Sequence, residues 1–390
     1  MGALVISFDA VGDAVFRAMS EEGALFPGVA AFARGALFRG GISTAFVTNT
    51  YPIHATVSTG KPPRDHGIIS NLLPPDKNGE RLWAQTADLI KTKTLWEAAR
   101  ARGLSTAAFL WPTTGGAKID WHIPEAHASK GKNLFALSLK NGSALFQISA
   151  LLRHGGKLAR SFSKKLSAAE RAAALDDFTT SAACDLFNRR KPDLALVHLV
   201  AYDSLFHAFG SCGPEIEAAK KSLEQNLGRL VESWGERGPV IVFSDHSQLD
   251  IRQCVDLEAR YGEAIFEQVG GSAFLREAIP GIEAEPWLER FLTKAEMEES
   301  GYADLAPFGI AAKPGFLFSD DDRYRGGHGY PADYENYNVF YCAKGLSFSD
   351  SENHSLKNRL TDVTAIVARE LDLEMDVLEE YGFKEKTNRS

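Results

Sequence analysis

Three aspartates in this chain fall where open α/β sheets collect their chemistry. Asp9 follows the apolar run ALVISF, Asp203 comes three residues after LALVHLV, and Asp245 follows PVIVFS. Each run is short and β-rich, which suits a buried parallel strand, and functional groups gather beyond the carboxyl ends of such strands. Three carboxylates converging at one edge repel one another and have raised pKa values unless a cation neutralises them, so a metal centre is the economical reading. Histidines accompany them. His246 adjoins Asp245, His207 lies one helical turn after Asp203, and His328 stands among glycines in GGHGY, which lets backbone approach a crowded centre. Singly, each histidine is an ordinary packing residue. Together the six are ligands of the type that suits zinc, with manganese or iron as alternatives, and they suffice for two divalent ions. Two such ions about 4 Å apart are a device for displacement at phosphorus.

A nucleophile is offered by the stretch from Thr48 to Asn71, TNTYPIHATVSTGKPPRDHGIISN. Tyr51 and Pro52 open a helix that Gly60 closes, which puts Thr50 at the N-cap among unpaired N–H groups, where anions bind. On its own this is an ordinary helix cap. Beside a divalent ion, its weakly nucleophilic hydroxyl becomes reactive. Asn71 is the matching donor for a phosphoryl oxygen, a role worth about 3–4 kcal/mol in comparable oxyanion holes. Tyr51 either contacts substrate or packs against the sheet.

These residues carry a resemblance to the alkaline phosphatase superfamily, in its type I phosphodiesterase/nucleotide pyrophosphatase branch. The similar pieces are Phe8-Asp9, Thr50-Tyr51-Pro52 with the following STG and HGIISN, TLWEAARARGLSTAAFLWP, Asp203 with His207 and Gly210, Ser244-Asp245-His246, and Gly327-His328-Gly329-Tyr330. The resemblance implies an α/β, alkaline-phosphatase-like three-layer sandwich with a mostly parallel central sheet flanked by helices. It implies that Asp203, His207 and His328 bind one zinc while Asp9, Thr50, Asp245 and His246 bind the other. By the same token Thr50 forms a phosphothreonine that water hydrolyses, Asn71 holds the phosphoryl oxygen, and Tyr51 stacks on a nucleobase in nucleotide-cleaving members. The expected substrate is a small anionic phosphate diester or pyrophosphate. Rival readings are a phosphomonoesterase or phosphonate hydrolase, a phosphosugar mutase, and a non-catalytic binding protein. The chain departs from the pattern at Val200-Ala201-Tyr202, where family members often carry an acidic or proline-bearing stretch, and in lacking the signal common among exported members.

The elements that must position these residues alternate in type. A strand over Ala3 to Phe8, the Thr50 helix, a capping box at Thr94 and Glu97 leading to Gly103, and a strand over Ser105 to Trp111 argue for a crossover-connected sheet. Later come a helix from Pro214 to Trp234, a strand over Val339 to Ala343 and a helix over Leu356 to Leu371. The 390 residues, 44 % hydrophobic, are read as one catalytic domain, 1–390, with two insertions. The first, 122–190, is basic and helical, with Lys130, Lys132, Lys140, Arg153, Lys157, Arg160, Lys164, Lys165 and Arg171 opposed only by Glu170, and with Leu145, Phe146, Ile148, Leu151 and Leu152 as one amphipathic face. It reads as a solvated lid, or as a surface for an anionic substrate, an acidic partner or a membrane. The second, 250–325, forms a cap. A net charge of −8 gives no case for a nucleic-acid partner, no run of about 18 apolar residues offers a transmembrane segment, and the start MGALVISFDA leaves no room for a signal peptide, so a cytoplasmic location is expected, or export if the natural chain has been trimmed at its start. Cys184, Cys212, Cys254 and Cys342 are too few and too widely spaced for a disulfide framework; they are expected as free thiols, Cys212 as a small buried one near the metal region.

Overall fold

The computed structural model describes residues 2–75, 79–129, 131–348 and 354–382; Lys130 and the polar tail from residue 383 lie outside them. Its centre is a seven-stranded sheet in the order β2 (Leu37–Ile42), β11 (Val339–Lys344), β6 (Val240–Phe243), β1 (Ala3–Phe8), β5 (Leu194–Leu199), β3 (Thr106–Phe109) and β4 (Trp121–Ile123). β1 runs parallel to both β5 and β6, and β3 and β4 continue the parallel set, while β11 lies antiparallel between β6 and β2. Six consecutive residues of β1 are buried, because the sheet is covered on both faces. The two-residue period sends Leu4, Ile6 and Phe8 into the core on one face and Ala3 and Val5 into the core on the other.

Helices α5 (Ala168–Arg189) and α7 (Pro214–Trp234) cover the first face, and α1 (Thr50–Thr59), α2 (Leu95–Ala101) and α8 (Thr361–Leu371) the second. α2 starts at the expected capping box: the Thr94 hydroxyl accepts from the Glu97 N–H and Glu97 accepts from the Thr94 N–H. α8 begins five residues later than Leu356, because the Asp362 carboxylate accepts from the N–H groups of Lys357 and Arg359 and holds that stretch as a turn.

Residues 122–190 contribute the end of β4, two further helices, α3 (Leu134–Asn141) and α4 (Ala144–Ser161), and α5, which belongs to the core. The expected single apolar face of α4 is in fact divided. Phe146 and Leu151 pack on the core, whereas Leu145, Ile148 and Leu152 face solvent. Their spacing explains this, since 145, 148 and 152 share one side of a helix and 146 and 151 lie round from them. Residues 250–325 build a four-stranded antiparallel sheet, in the order β9 (Leu288–Phe291), β10 (Phe308–Ala312), β8 (Ser272–Leu275) and β7 (Ile265–Gln268), with its own apolar cluster around Trp287 and Tyr330. Cys212 is exposed rather than buried, and all four cysteines are free.

Candidate active site

All three aspartates arrive at one edge of the sheet. Asp9 follows β1 directly, Asp245 follows β6 by two residues, and Asp203 lies in the first turn of α6 (Ala201–Phe209), which leaves the end of β5. α6 is anchored at its start by buried Asp176, whose carboxylate accepts from the N–H groups of Val200 and Ala201. The helix places His207 one turn below Asp203, with Nε2 3.3 Å from Oδ1. His328 reaches the centre because its neighbours are glycines: at Gly329, with φ of +87°, a Cβ would stand 1.9 Å from the Val269 carbonyl oxygen.

Thr50 is the first residue of α1, and its hydroxyl lies 3.2 Å from Nε2 of His246. The N-cap is Asn49, not Thr50; the helix starts one residue earlier than Tyr51 and Pro52 suggest. The Thr50 hydroxyl is thereby released from capping, and the Asn49 side chain accepts from His328 Nδ1 at 2.9 Å instead. Asn71 reaches back to the same helix start, its amide oxygen accepting from the Tyr51 N–H at 2.9 Å. That bond leaves the Asn71 NH₂ group to donate elsewhere.

The three histidines share one pattern. Nδ1 of His207 points at the Gly326 carbonyl oxygen at 2.8 Å, Nδ1 of His246 at that of Ser247 at 3.2 Å, and Nδ1 of His328 at the Asn49 amide oxygen. Those oxygens only accept, so in the neutral rings Nδ1 carries the proton and Nε2 offers its lone pair. For His246 that lone pair lies 3.5 Å from Asp9 Oδ1 and 3.4 Å from Asp245 Oδ2. Both oxygens are buried without a hydrogen-bond partner among the described residues, while the other Asp245 oxygen accepts from the N–H groups of Ala10 and His246. Lone pairs facing carboxylates repel unless a proton or a cation stands between them. Asp9, Asp245 and His246 offer ligand atoms within 4.8 Å of one another, and so do Asp203, His246 and His328. Nδ1–H held by an outer acceptor and Nε2 turned inward is the arrangement of metal-ligating histidine. The donor set therefore fits divalent cations.

The electrostatics agree. Burial, then the charges of Asp245, Asp203 and Glu125, push the Asp9 carboxyl well above its usual range. Burial also works upward on Asp203, but His207, His328 and His246 together hold it below the ordinary carboxylate value. Burial and the neighbouring His246 and His207 push His328 down and keep it neutral.

Two residues of this centre, His198 and Gln248, escaped the sequence reading. His198, inside the run LALVHLV, donates from Nδ1 to the Leu110 carbonyl and places Nε2 3.1 Å from Asp9 Oδ2; a histidine within a buried parallel strand was the available signal. Gln248 donates to Asp203 and orients it. His54 comes near Asp245, but both its nitrogens are engaged, by the Thr50 carbonyl and the Ser7 hydroxyl. Tyr51 is 1 % exposed and packs beside Trp83 and His127, which stack on each other at 4.0 Å.

Residues 3–331 match the family described as type I phosphodiesterase / nucleotide pyrophosphatase. The chain belongs to this family. Over 214 residues it is 24 % identical to an uncharacterized pyrophosphatase/phosphodiesterase of Schizosaccharomyces pombe, covering 52 % of this chain and 36 % of that protein. Over 243 residues it is 21 % identical to the human ectonucleotide pyrophosphatase/phosphodiesterase family member 1, covering 59 % and 22 %. The match thus spans well under half the length of either relative. Among solved structures, murine ectonucleotide pyrophosphatase/phosphodiesterase 5 superposes with a TM-score of 0.66 at 17 % identity, covering 96 % of each chain. Phosphonoacetate hydrolase from Sinorhizobium meliloti 1021, bound to phosphonoacetate, does so with a TM-score of 0.65 at 14 % identity, covering 95 % of this chain and 96 % of that one. The fold is that of the alkaline phosphatase superfamily. No described helix is long and apolar enough to cross a membrane.

Proposed function

We propose that this family member hydrolyses small phosphate diesters or pyrophosphates through a covalent phosphothreonine at Thr50. The observation that carries the reading is the inward turn of three imidazole Nε2 atoms and two orphaned carboxylate oxygens at the sheet edge where the Thr50 hydroxyl meets His246. Asp203, His207 and His328 would hold one divalent cation, and Asp9, Thr50, Asp245 and His246 the other, with zinc the preferred ion. Bound there, the pair supplies Lewis-acid stabilisation of phosphoryl charge and acidifies the threonine hydroxyl.

The rest is done by the chain. Thr50 Oγ1 attacks phosphorus in line with the leaving oxygen, so that the Oγ1–P bond forms as the P–O bond to the leaving group breaks. The N-terminus of α1 attracts the anionic group, and the Asn71 NH₂ donates to a non-bridging oxygen whose charge grows during the step. Water then attacks the phosphothreonine, breaks the Oγ1–P bond and restores the hydroxyl. His54 holds the start of α1 in place through the Thr50 carbonyl. Residues 250–325, with the early stretch of the first insertion that brings His127 beside Tyr51, are assigned the selection of the leaving group. The AMP complex of an inactive form of the murine neighbour makes nucleotides the first substrates to assay.

The Thr50→Ala variant, in which the other ligands remain, is expected to bind metal and to lose turnover by about 10⁴-fold or more. Retained activity in that variant removes Thr50 as nucleophile. A second reading, phosphonate hydrolysis, is favoured by the likeness to phosphonoacetate hydrolase along the whole chain. Parallel assays of an aryl diester, an aryl monoester and phosphonoacetate separate the two.

A further inference from the structure

Residues 126–169 contain eight Lys or Arg and no Asp or Glu, inside a chain of net charge −8. α4 occupies the centre of this stretch at the β4 edge of the sheet, away from the β1, β5 and β6 ends that carry the site. Its inner face is committed, with Ala150 in the core and Phe146, Leu151 and Leu158 packed on it. The outer face is not. Leu145 is 85 % exposed, Ile148 42 %, Leu152 83 %, and Phe162, at the C-cap, 66 %. Leu145, Ile148 and Leu152 recur at one-turn spacing and form a stripe. Leu134 and Phe135 of the adjoining α3 are exposed as well. A lone exposed leucine is normal, but a stripe of this kind marks an interaction surface.

The charge around the stripe is specific. Arg153 and Lys157 are engaged by Asp185 and Asp177. Lys132, Lys140, Arg160, Lys164 and Lys165 make no ion pair within 4.0 Å among the described residues. From this combination we infer that α3, α4 and the turn after them dock on an anionic lipid bilayer. A second copy of the chain would cover the leucines but bring two basic surfaces together. An acidic protein or a nucleic acid would meet the charge but leave Leu145, Leu152 and Phe162 in water. An anionic bilayer satisfies both: the stripe enters the headgroup boundary by about 5–10 Å while the cations stay at the phosphates. At 18 residues, with an inner face packed on protein, α4 lies on such a surface and does not cross it.

The test is flotation of the purified protein with vesicles of phosphatidylcholine and phosphatidylserine in equal parts, against phosphatidylcholine alone. The wild type is expected to float with the mixed vesicles and to be released by salt. The double variant Leu145→Asp/Leu152→Asp is expected to lose at least about tenfold in partitioning, and Lys164→Glu/Lys165→Glu a comparable factor, both with unchanged turnover of a soluble diester, which certifies the fold. Equal flotation with the two vesicle types, or variants that float like the wild type, overturns the inference. So does a wild-type dimer in sedimentation that the leucine variant splits, which would assign the stripe to a second copy.

Discussion

The chain carries two charged regions built on opposite plans. At the centre, Asp9, Asp245 and His246 are packed out of water, two of their carboxylate oxygens without partners. On the α3–α4 flank, exposed lysines and arginines stand beside exposed leucines. Burial is what makes the first region costly, since like charges in a low-dielectric site cannot all ionise without a counter-charge. The lesson is that each region calls for the partner its chemistry dictates: the acidic centre for cations, and the basic flank for an anionic, partly apolar surface. They are also separate, one over the parallel strand ends and the other beyond the sheet edge. Changes in one should therefore leave the other intact.

Asn71→Ala sharpens the account of the centre most. It removes the proposed donor to the phosphoryl oxygen, and turnover is expected to fall by about 10²–10³ while vesicle binding stays unchanged. A loss of only a few-fold would reduce Asn71 to its bond with the Tyr51 N–H. The smallest effect concerns the support of α6. Asp176 is raised from 3.8 to about 7 by burial, against the lowering effect of its bonds to the Val200 and Ala201 N–H groups. The folded carboxyl thus keeps a proton that the unfolded chain has released. Its contribution to stability is full below pH 3.8 and is lost as pH rises through 7. Asp176→Asn, which cannot ionise, should gain on the wild type in Tm between those two values. Calorimetry at both ends of the window measures this, and a constant Tm difference would contradict it.

Much of the scaffold was legible because it is written in local patterns. The strand over Ala3–Phe8, the helix Pro214–Trp234 and the Thr94–Glu97 capping box have the expected bounds or chemistry. The positions of Asp9, Asp203 and Asp245 after apolar runs announced their meeting, because parallel strands deliver their ends to one edge. What the sequence hid depends on contacts between distant segments. Asn49 accepts from His328 across 279 positions, which moves the cap away from Thr50. His198 looked like part of an apolar strand until β5 came to lie beside β1. α4 is apolar over more than half its circumference, so its pattern alone did not say which side meets the core. Only packing on α5 and the sheet assigns Phe146 and Leu151 inward and leaves Leu145 and Leu152 outside.

The central claim is that the histidines and aspartates around Thr50 hold two cations that the reaction requires. Its most direct test is a titration of chelator-treated protein with Zn²⁺, reading bound metal and diester turnover in the same samples. Two ions per chain should be taken up, with turnover reaching its plateau as the second binds. Full activity in the metal-stripped chain, or a plateau at one ion, would contradict the account.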